Sequence, residues 1–146
     1  LHVGYPSRDE EVQILLRTTG AAEAPASTVI DGAKILAIQH AIRAIVVPQS
    51  VAEYAVDLVR RTRPASADTP DSVKRYVRWG AGPRASQYLA LAGKVHAALA
   101  GRFNVAREDI AAAAPLVLRH RLILNYRAEA DAITADKLIA ELTGKR

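Results

Sequence analysis

The segment YVRWGAGPRAS, residues Tyr76–Ser86, contains the single tryptophan of the chain, two closely spaced glycines and an arginine. Glycine allows sharp turns and a close approach of the backbone to a ligand. Pro83 is favoured at the first position of a helix, so Arg84 is expected in a first helical turn. Unpaired N–H groups and the helix dipole favour an anion there, and a guanidinium adds a full charge. The segment therefore predicts a phosphate site, with an ordinary surface arginine as the alternative.

The composition predicts one helical domain. The chain has 146 residues, of which 50% are hydrophobic and only 5% aromatic, with no cysteine. This length supports a real core, and few aromatic residues with abundant alanine favour packed helices over a β-sandwich. The absence of cysteine excludes disulfides, Cys-ligated zinc and thiol catalysis. The net charge of +5 is compatible with nucleic acid, an acidic partner or nucleotide phosphates, and does not discriminate between them.

The ends of the chain indicate a piece of a longer protein. The sequence begins with Leu1 rather than methionine, shows no signal peptide and has no apolar run long enough to span a bilayer. Residues 1–6, LHVGYP, are interpreted as a connector from an upstream domain. Residues 7–146 are interpreted as the helical domain.

Caps, prolines and glycines divide the domain into helices. Ser7 and Glu10 form a capping box, and Thr69-Pro70-Asp71 and Thr134 are further helix starts. An extended segment is expected over Leu122–Tyr126. The predicted helices are Ser7 to about Thr18, a helix from near Asp31, Gln49 to Arg63, Pro70 to the Trp79-Gly80 corner, Pro83 to about Ala100, Val105 to Ala114 with a further turn from Pro115, and Thr134 to Leu142. The fold class is all-α, a small helical bundle.

Apolar residues at three- and four-residue steps predict which helix faces are buried. Val12, Leu15 and Leu16 form the apolar side of the first helix. Three further predicted faces are Ile35, Ile38, Ile42 and Ile45; Val51, Ala55, Leu58, Val59 and Thr62; and Tyr88, Leu89, Ala92, Val95 and Leu99. The start near Ala106 is expected to be weak, because alanine offers no side-chain acceptor.

No catalytic or metal-binding motif is present. The histidines lack ligand spacing, and neither a G-x-x-x-x-G-K-[ST] nor a G-x-S-x-G motif occurs. The chain alone is therefore not expected to cradle the phosphates of a nucleotide. Arg119-His120-Arg121 has two interpretations, cations at a helix end or a contact to phosphate or a partner. A helix–turn–helix from Pro70 onward is an alternative, but its longer helix lacks a concentrated basic face, so nucleic acid is disfavoured.

Several segments together resemble the C-terminal lid of MoxR-type AAA+ ATPases. The motif W-G-A-G-P-R-A-S at Trp79–Ser86 resembles the sensor 2 signature of that family, with Gly82 where the family more often has serine. Four further segments agree in order: G-Y-P-S-R-D-E-E at Gly4–Glu11, Y-A-V-D-L-V-R-R-T-R-P at Tyr54–Pro64, V-L-R-H-R-L at Val117–Leu122 and I-T-A-D at Ile133–Asp136. The resemblance covers nearly the whole chain.

This resemblance implies a lid subdomain that packs over ATP bound in an upstream AAA+ core. The core would carry the phosphate loop and the Mg²⁺ ligands, so the chain alone should be inactive. Arg84 would be the sensor 2 arginine at the γ-phosphate, with Gly82 and Pro83 beside it. Gly4, Tyr5 and Pro6 would lie near the hinge and the adenine. Trp79 would be a packing anchor that fixes the angle of the following helix.

The family also implies a setting for the full-length protein. Its members are thought to form rings, usually hexamers, in the cytoplasm, and to act as chaperone-like or regulatory machines on partner complexes. Their partners often include von Willebrand factor A-domain proteins. The alternative that the sequence leaves open is a non-enzymatic helical module that binds DNA or regulates transcription.

Overall fold

A computed structural model describes residues 3–20 and 26–144, and the chain divides into two compact units, Leu1–Ile35 and Leu36–Arg146. The predicted all-α class is confirmed, with one short β-ribbon added. The elements are α1 (Arg8–Thr18), α2 (Gly32–Ala44), α3 (Gln49–Arg60), α4 (Asp71–Tyr76), β1 (Val77–Trp79), α5 (Arg84–Leu99), α6 (Arg107–Leu118), a 3₁₀ turn (Arg119–Arg121), β2 (Ile123–Leu124), α7 (Tyr126–Ala130) and α8 (Ala135–Thr143).

The predicted capping box starts α1. The Glu10 amide donates to Ser7 Oγ at 3.4 Å, and the Ser7 amide donates to Glu10 Oε2 at 2.7 Å. The hydrogen bond from the Ser7 amide lowers the pKa of the Glu10 carboxyl. The predicted apolar side of α1, Val12, Leu15 and Leu16, is exposed. Local capping therefore forms this helix without burying any of its residues.

The predicted isoleucine face of α2 is only partly correct. Ile45, just beyond the helix, is buried and Ile42 is half-buried, whereas Ile35 and Ile38 are exposed. The spacing correctly places these residues on one side of a helix. Burial needs a second element over that side, and a pattern within one helix carries no information about this.

The core of the second unit lies between α3, α5, α6 and α8. The predicted face of α3 is confirmed in full, with Val51, Ala55, Leu58, Val59 and Thr62 all buried. Gly93 of α5 brings α6 close, since a Cβ there would lie 2.9 Å from both Ile110 Cδ1 and Val105 Cγ1. The absence of that side chain lets the two helices pack at short range.

The buried face of α5 differs from the prediction. Of the predicted residues only Leu89 is fully buried and Ala92 half-buried, while Tyr88, Val95 and Leu99 are exposed. The face that packs on the core is Ala85, Leu89, Gly93 and Ala97. Small residues on this face permit the close approach to α6, whereas the larger apolar side chains Tyr88, Val95 and Leu99 lie on a neighbouring face.

Several predicted boundaries also shift. Thr69 does not cap α4, because its hydroxyl donates instead to the Arg63 carbonyl at 2.7 Å. Residues Val77–Trp79, predicted as helix, form β1. Pro115 lies inside α6 rather than opening a new turn, and α7 was not predicted. The Thr134 cap of α8 is confirmed by a bond from the Lys137 amide at 3.3 Å.

The ribbon pairs β1 with β2 in antiparallel fashion and confirms an extended segment within residues 122–126. Val77 pairs with Leu124 and Trp79 with Ile123, so the register shifts between the two pairs. The ribbon leads directly into the Gly80–Arg84 loop. Among the described residues, no helix is long and apolar enough to cross a membrane.

Candidate functional site

Trp79 stands at the end of β1 with 62% of its surface exposed, so its prediction as a packing anchor is wrong. Val77, two residues earlier, occupies the core position and is only 3% exposed. The register shift between Val77 and Trp79 has the character of a β-bulge, which re-aims the side chains that follow it. Trp79 and its cross-strand partner Ile123 are consequently both exposed.

Gly80 is held against the end of α3. A Cβ at this position would lie 2.3 Å from the Thr62 carbonyl oxygen and 2.8 Å from Arg63 Cα. Such distances leave no room for a side chain, and the nearby atoms are backbone that cannot move aside cheaply. The close approach that glycine permits is therefore made to the chain itself.

Ala81 is buried, and its amide and carbonyl are both bound by residues of the turn that follows α3. Its amide donates to Thr62 Oγ1 at 2.9 Å, and its carbonyl accepts from Arg63 Nε at 2.9 Å. Thr62 and Arg63 are not predictable as site residues from local sequence, because their partner lies 18 to 19 positions away in the chain. The loop before α5 is thus fixed to α3.

Gly82, Pro83 and Arg84 lead from this fixed point into α5, and all three are exposed. Pro83 has helical dihedrals, φ −58° and ψ −28°, directly before the first α5 residue, Arg84. The Ala85 amide donates to the Gly82 carbonyl at 3.0 Å and the Ser86 amide to the Pro83 carbonyl at 3.1 Å. These bonds occupy two amides of the first turn, so attraction for an anion rests mainly on the guanidinium and the helix dipole.

Arg84 makes no ion pair and no side-chain hydrogen bond with any residue that the structure describes. Other arginines of the second unit are engaged: Arg75 pairs with Asp131 at 3.1 Å and Arg102 with Asp109 at 2.5 Å. The N–H donors of the exposed Arg84 guanidinium are therefore not used by the described residues. A planar group with five N–H donors suits a phosphate.

Gly4, Tyr5 and Pro6 belong to the first unit. All three are exposed, Tyr5 completely, and they line a shallow apolar depression together with residues of α1. Their predicted role near an adenine stays a prediction.

The basic cluster Arg119-His120-Arg121 is engaged with the chain itself. Arg119 Nε lies 2.7 Å from Asp136 Oδ1, and Arg121 Nη1 donates to the Val117 carbonyl at 2.5 Å. The Arg121 guanidinium also lies 5.0 Å from the centre of the Tyr88 ring, a cation–π contact, and contacts His120. These contacts match the interpretation of cations that satisfy the carbonyl end of a helix.

The helix–turn–helix hypothesis does not fit this geometry, because the paired strand β1 separates α4 from α5. Within residues 3–20 and 26–144, no group of three His, Asp or Glu side chains is placed to hold a metal ion.

A family model described as the AAA lid domain matches residues 69–142, half of the chain, and includes the Trp79–Arg84 loop. Among curated proteins, the chain is 34% identical over 139 residues to "Chaperone MoxR1" of Mycobacterium tuberculosis, covering 95% of this chain and 37% of that protein. It is 39% identical over 92 residues to "Protein MoxR" of Methylorubrum extorquens, covering 60% of this chain and 26% of that protein. The predicted resemblance to MoxR-type lids is thereby confirmed.

A solved structure shares the fold. It is the crystal structure of a protein from Cytophaga hutchinsonii that is described provisionally as an ATPase. The two structures superpose with a TM-score of 0.78 at 28% sequence identity, and the match covers all of this chain and 44% of that one. The chain thus spans less than half the length of these relatives.

Proposed function

The chain belongs to the AAA lid domain family, and we propose that it couples the ATP hydrolysis of a MoxR-like AAA+ ATPase to lid movement through Arg84. The observation that carries this proposal is the exposed side chain of Arg84, which is unpaired among the described residues. It is exposed at the start of the 16-residue helix α5, beyond a loop fixed to α3, and no described residue binds its side chain.

Electrostatics supplies the mechanism. The γ-phosphoryl group carries charge on three oxygens throughout transfer, and donors already in place stabilise that charge without reorganisation. Loss of the γ-phosphate removes the attraction for Arg84, which releases the start of α5. Arg84 is the first residue of α5, which packs on the core of the second unit. A displacement of Arg84 would therefore move α5 together with the elements packed on it.

The remaining parts of the nucleotide site would come from an AAA+ core in the same polypeptide. The sequence lacks the G-x-x-x-x-G-K-[ST] motif, so that core would supply the phosphate loop and the ligands for Mg²⁺. We place residues 1–6 as the connector to it, residues 7–146 as the lid domain, and Gly4, Tyr5 and Pro6 near the hinge and the adenine. A core without this loop motif would overturn the proposal.

The setting of the full-length protein follows from the family. We propose a ring, hexameric in the usual case, that acts in the cytoplasm as a chaperone-like, regulatory machine on a partner complex, with a von Willebrand factor A-domain protein as a candidate partner. The name chaperone carried by the mycobacterial relative supports this role.

The test is Arg84→Ala in the full-length ATPase, with Arg60→Ala as the matched control on the exposed side of α3. We expect Arg84→Ala to lower kcat/KM for ATP by about 100-fold, the usual scale for removing one transition-state donor. Arg60→Ala should leave it unchanged. Wild-type hydrolysis and wild-type nucleotide affinity in Arg84→Ala would show that Arg84 is not the phosphate ligand.

A further inference from the structure

The peptide groups around Ala81 are held by two side chains from the turn that follows α3. Thr62 Oγ1 accepts from the Ala81 amide and Arg63 Nε donates to the Ala81 carbonyl, both at 2.9 Å. Ala81 lies three residues before Arg84. These two bonds form a clamp, defined here as Thr62, Arg63 and the Ala81 backbone.

The Thr62 half of the clamp has a single hydrogen-bond arrangement. Thr62 is fully buried, and its hydroxyl donates its only proton to the Val59 carbonyl at 2.6 Å. A hydroxyl has one donor, so its remaining lone pairs face the Ala81 amide as acceptors. Water has no access to this place. Loss of the hydroxyl would leave the buried Ala81 N–H without a hydrogen-bond partner, which is unfavourable in a buried place.

The backbone of Arg63, the second residue of the clamp, is itself held by hydrogen bonds. The Arg63 carbonyl accepts from Thr69 Oγ1 at 2.7 Å and from the Ser66 amide at 3.0 Å. Thr69 is itself buried, so the turn that follows Arg63 is closed by an internal bond. The guanidinium that reaches Ala81 therefore starts from a fixed backbone.

Gly82 and Pro83 lie between the clamp and Arg84, and their carbonyls accept from the Ala85 and Ser86 amides of the first turn of α5. A Cβ on Gly82 would meet no atom within 4 Å, so side-chain packing does not fix this residue. Pro83 fixes only its own φ. The clamp therefore holds the chain three residues before Arg84, and the burial of Ala85 in the core holds it one residue after Arg84.

We propose that Thr62 and Arg63 are positioning residues for Arg84, which set where its guanidinium meets the γ-phosphate. This inference rests on the proposed function of Arg84. Electrostatic catalysis depends on distance, and a displacement of about 1 Å in a supporting group can cost about 100-fold in rate. Neither side chain touches the nucleotide in this scheme, and both act through the Ala81 backbone.

The test compares Thr62→Val with Thr62→Ser in the full-length ATPase. Valine keeps the shape and loses the hydroxyl, while serine keeps the hydroxyl. We expect Thr62→Val to lower kcat for ATP hydrolysis by about 10-fold and Thr62→Ser to stay within about 2-fold, given the sensitivity of catalysis to positioning. Arg63→Ala, at a half-buried site, serves as a second variant if Thr62→Val fails to fold.

A double-mutant cycle separates positioning from general stability. In an Arg84→Ala background, Thr62→Val should cause no further loss of kcat, because the group that it positions is absent. Equal losses in both backgrounds, or a Thr62→Ser variant as slow as Thr62→Val, would overturn the positioning role while leaving Arg84 in place. An Arg84→Ala variant with wild-type ATP hydrolysis would instead overturn the proposed function and this inference together.

Discussion

Gly80 and Gly82 are equivalent in the sequence motif but not in the structure. A Cβ on Gly80 would collide with the Thr62 carbonyl, whereas one on Gly82 would meet nothing within 4 Å. Neither glycine has a positive φ, so backbone strain does not distinguish them. The requirement for glycine at position 80 comes from close packing alone. A serine at position 82, which the family more often has, would therefore meet no steric obstacle at its Cβ.

At this scale we predict that Gly80→Ala destabilises the chain and Gly82→Ala does not. Overpacking against backbone should lower the free energy of unfolding by about 2–3 kcal/mol. Gly82→Ala should stay within about 0.5 kcal/mol, as for most surface changes. Urea denaturation of both variants measures the difference. Equal stability of the two would contradict the contact between Gly80 and Thr62.

The start of α6 is stabilised by a carboxylate of its own first turn and by an arginine that precedes the helix. Its cap position, Ala106, was expected to be weak. In the structure Asp109 accepts the Ala106 amide at 2.8 Å and pairs through both oxygens with Arg102. The hydrogen bonds from Arg102 lower the pKa of the Asp109 carboxyl, and that from the Ala106 amide adds to the effect. A side-chain ion pair thus replaces the missing cap.

This arrangement predicts a stability that depends on pH in the acid range. Because the pKa of Asp109 is lowered in the folded state, the unfolded state binds more protons between the two pKa values. The stabilisation should be complete above the unfolded pKa of about 3.9 and disappear as pH falls through the folded pKa. Asp109→Asn should lower the free energy of unfolding at neutral pH by about 1–3 kcal/mol.

The control is Asp136→Asn, which breaks the more exposed pair with Arg119 and should cost at most about 1 kcal/mol. Denaturation curves of the three proteins between neutral and acid pH measure both effects. A difference between wild type and Asp109→Asn that persists unchanged below the folded pKa would contradict the assignment.

At the scale of the whole molecule, the net charge is +5, and several basic side chains of the second unit are engaged with other residues of the chain. Arg75, Arg102 and Arg119 are paired with aspartates, and the Arg121 guanidinium lies over the Tyr88 ring. The strand between α4 and α5 also removes the helix–turn–helix geometry. The basic excess is therefore better explained by scattered pairs and by Arg84 than by a nucleic-acid interface.

We accordingly expect the chain to bind duplex DNA only weakly. Fluorescence anisotropy with an oligonucleotide duplex should give a Kd no tighter than about 10⁻⁴ M at physiological salt, the weak end of nonspecific binding. The same measurement with Arg84→Ala should be indistinguishable from wild type, since one charge contributes little. Submicromolar binding with a steep salt dependence would instead favour the DNA-binding alternative.

The sequence by itself determined the features that depend on neighbours within one helical turn. The helical class, the caps at Ser7 and Thr134, and the place of Arg84 at the start of α5 follow from local hydrogen bonds and backbone preferences. The tertiary structure alone decided that Trp79 is exposed and that Gly80 and Ala81 are fixed to Thr62 and Arg63. Those outcomes depend on groups distant along the chain, whose packing no local pattern encodes.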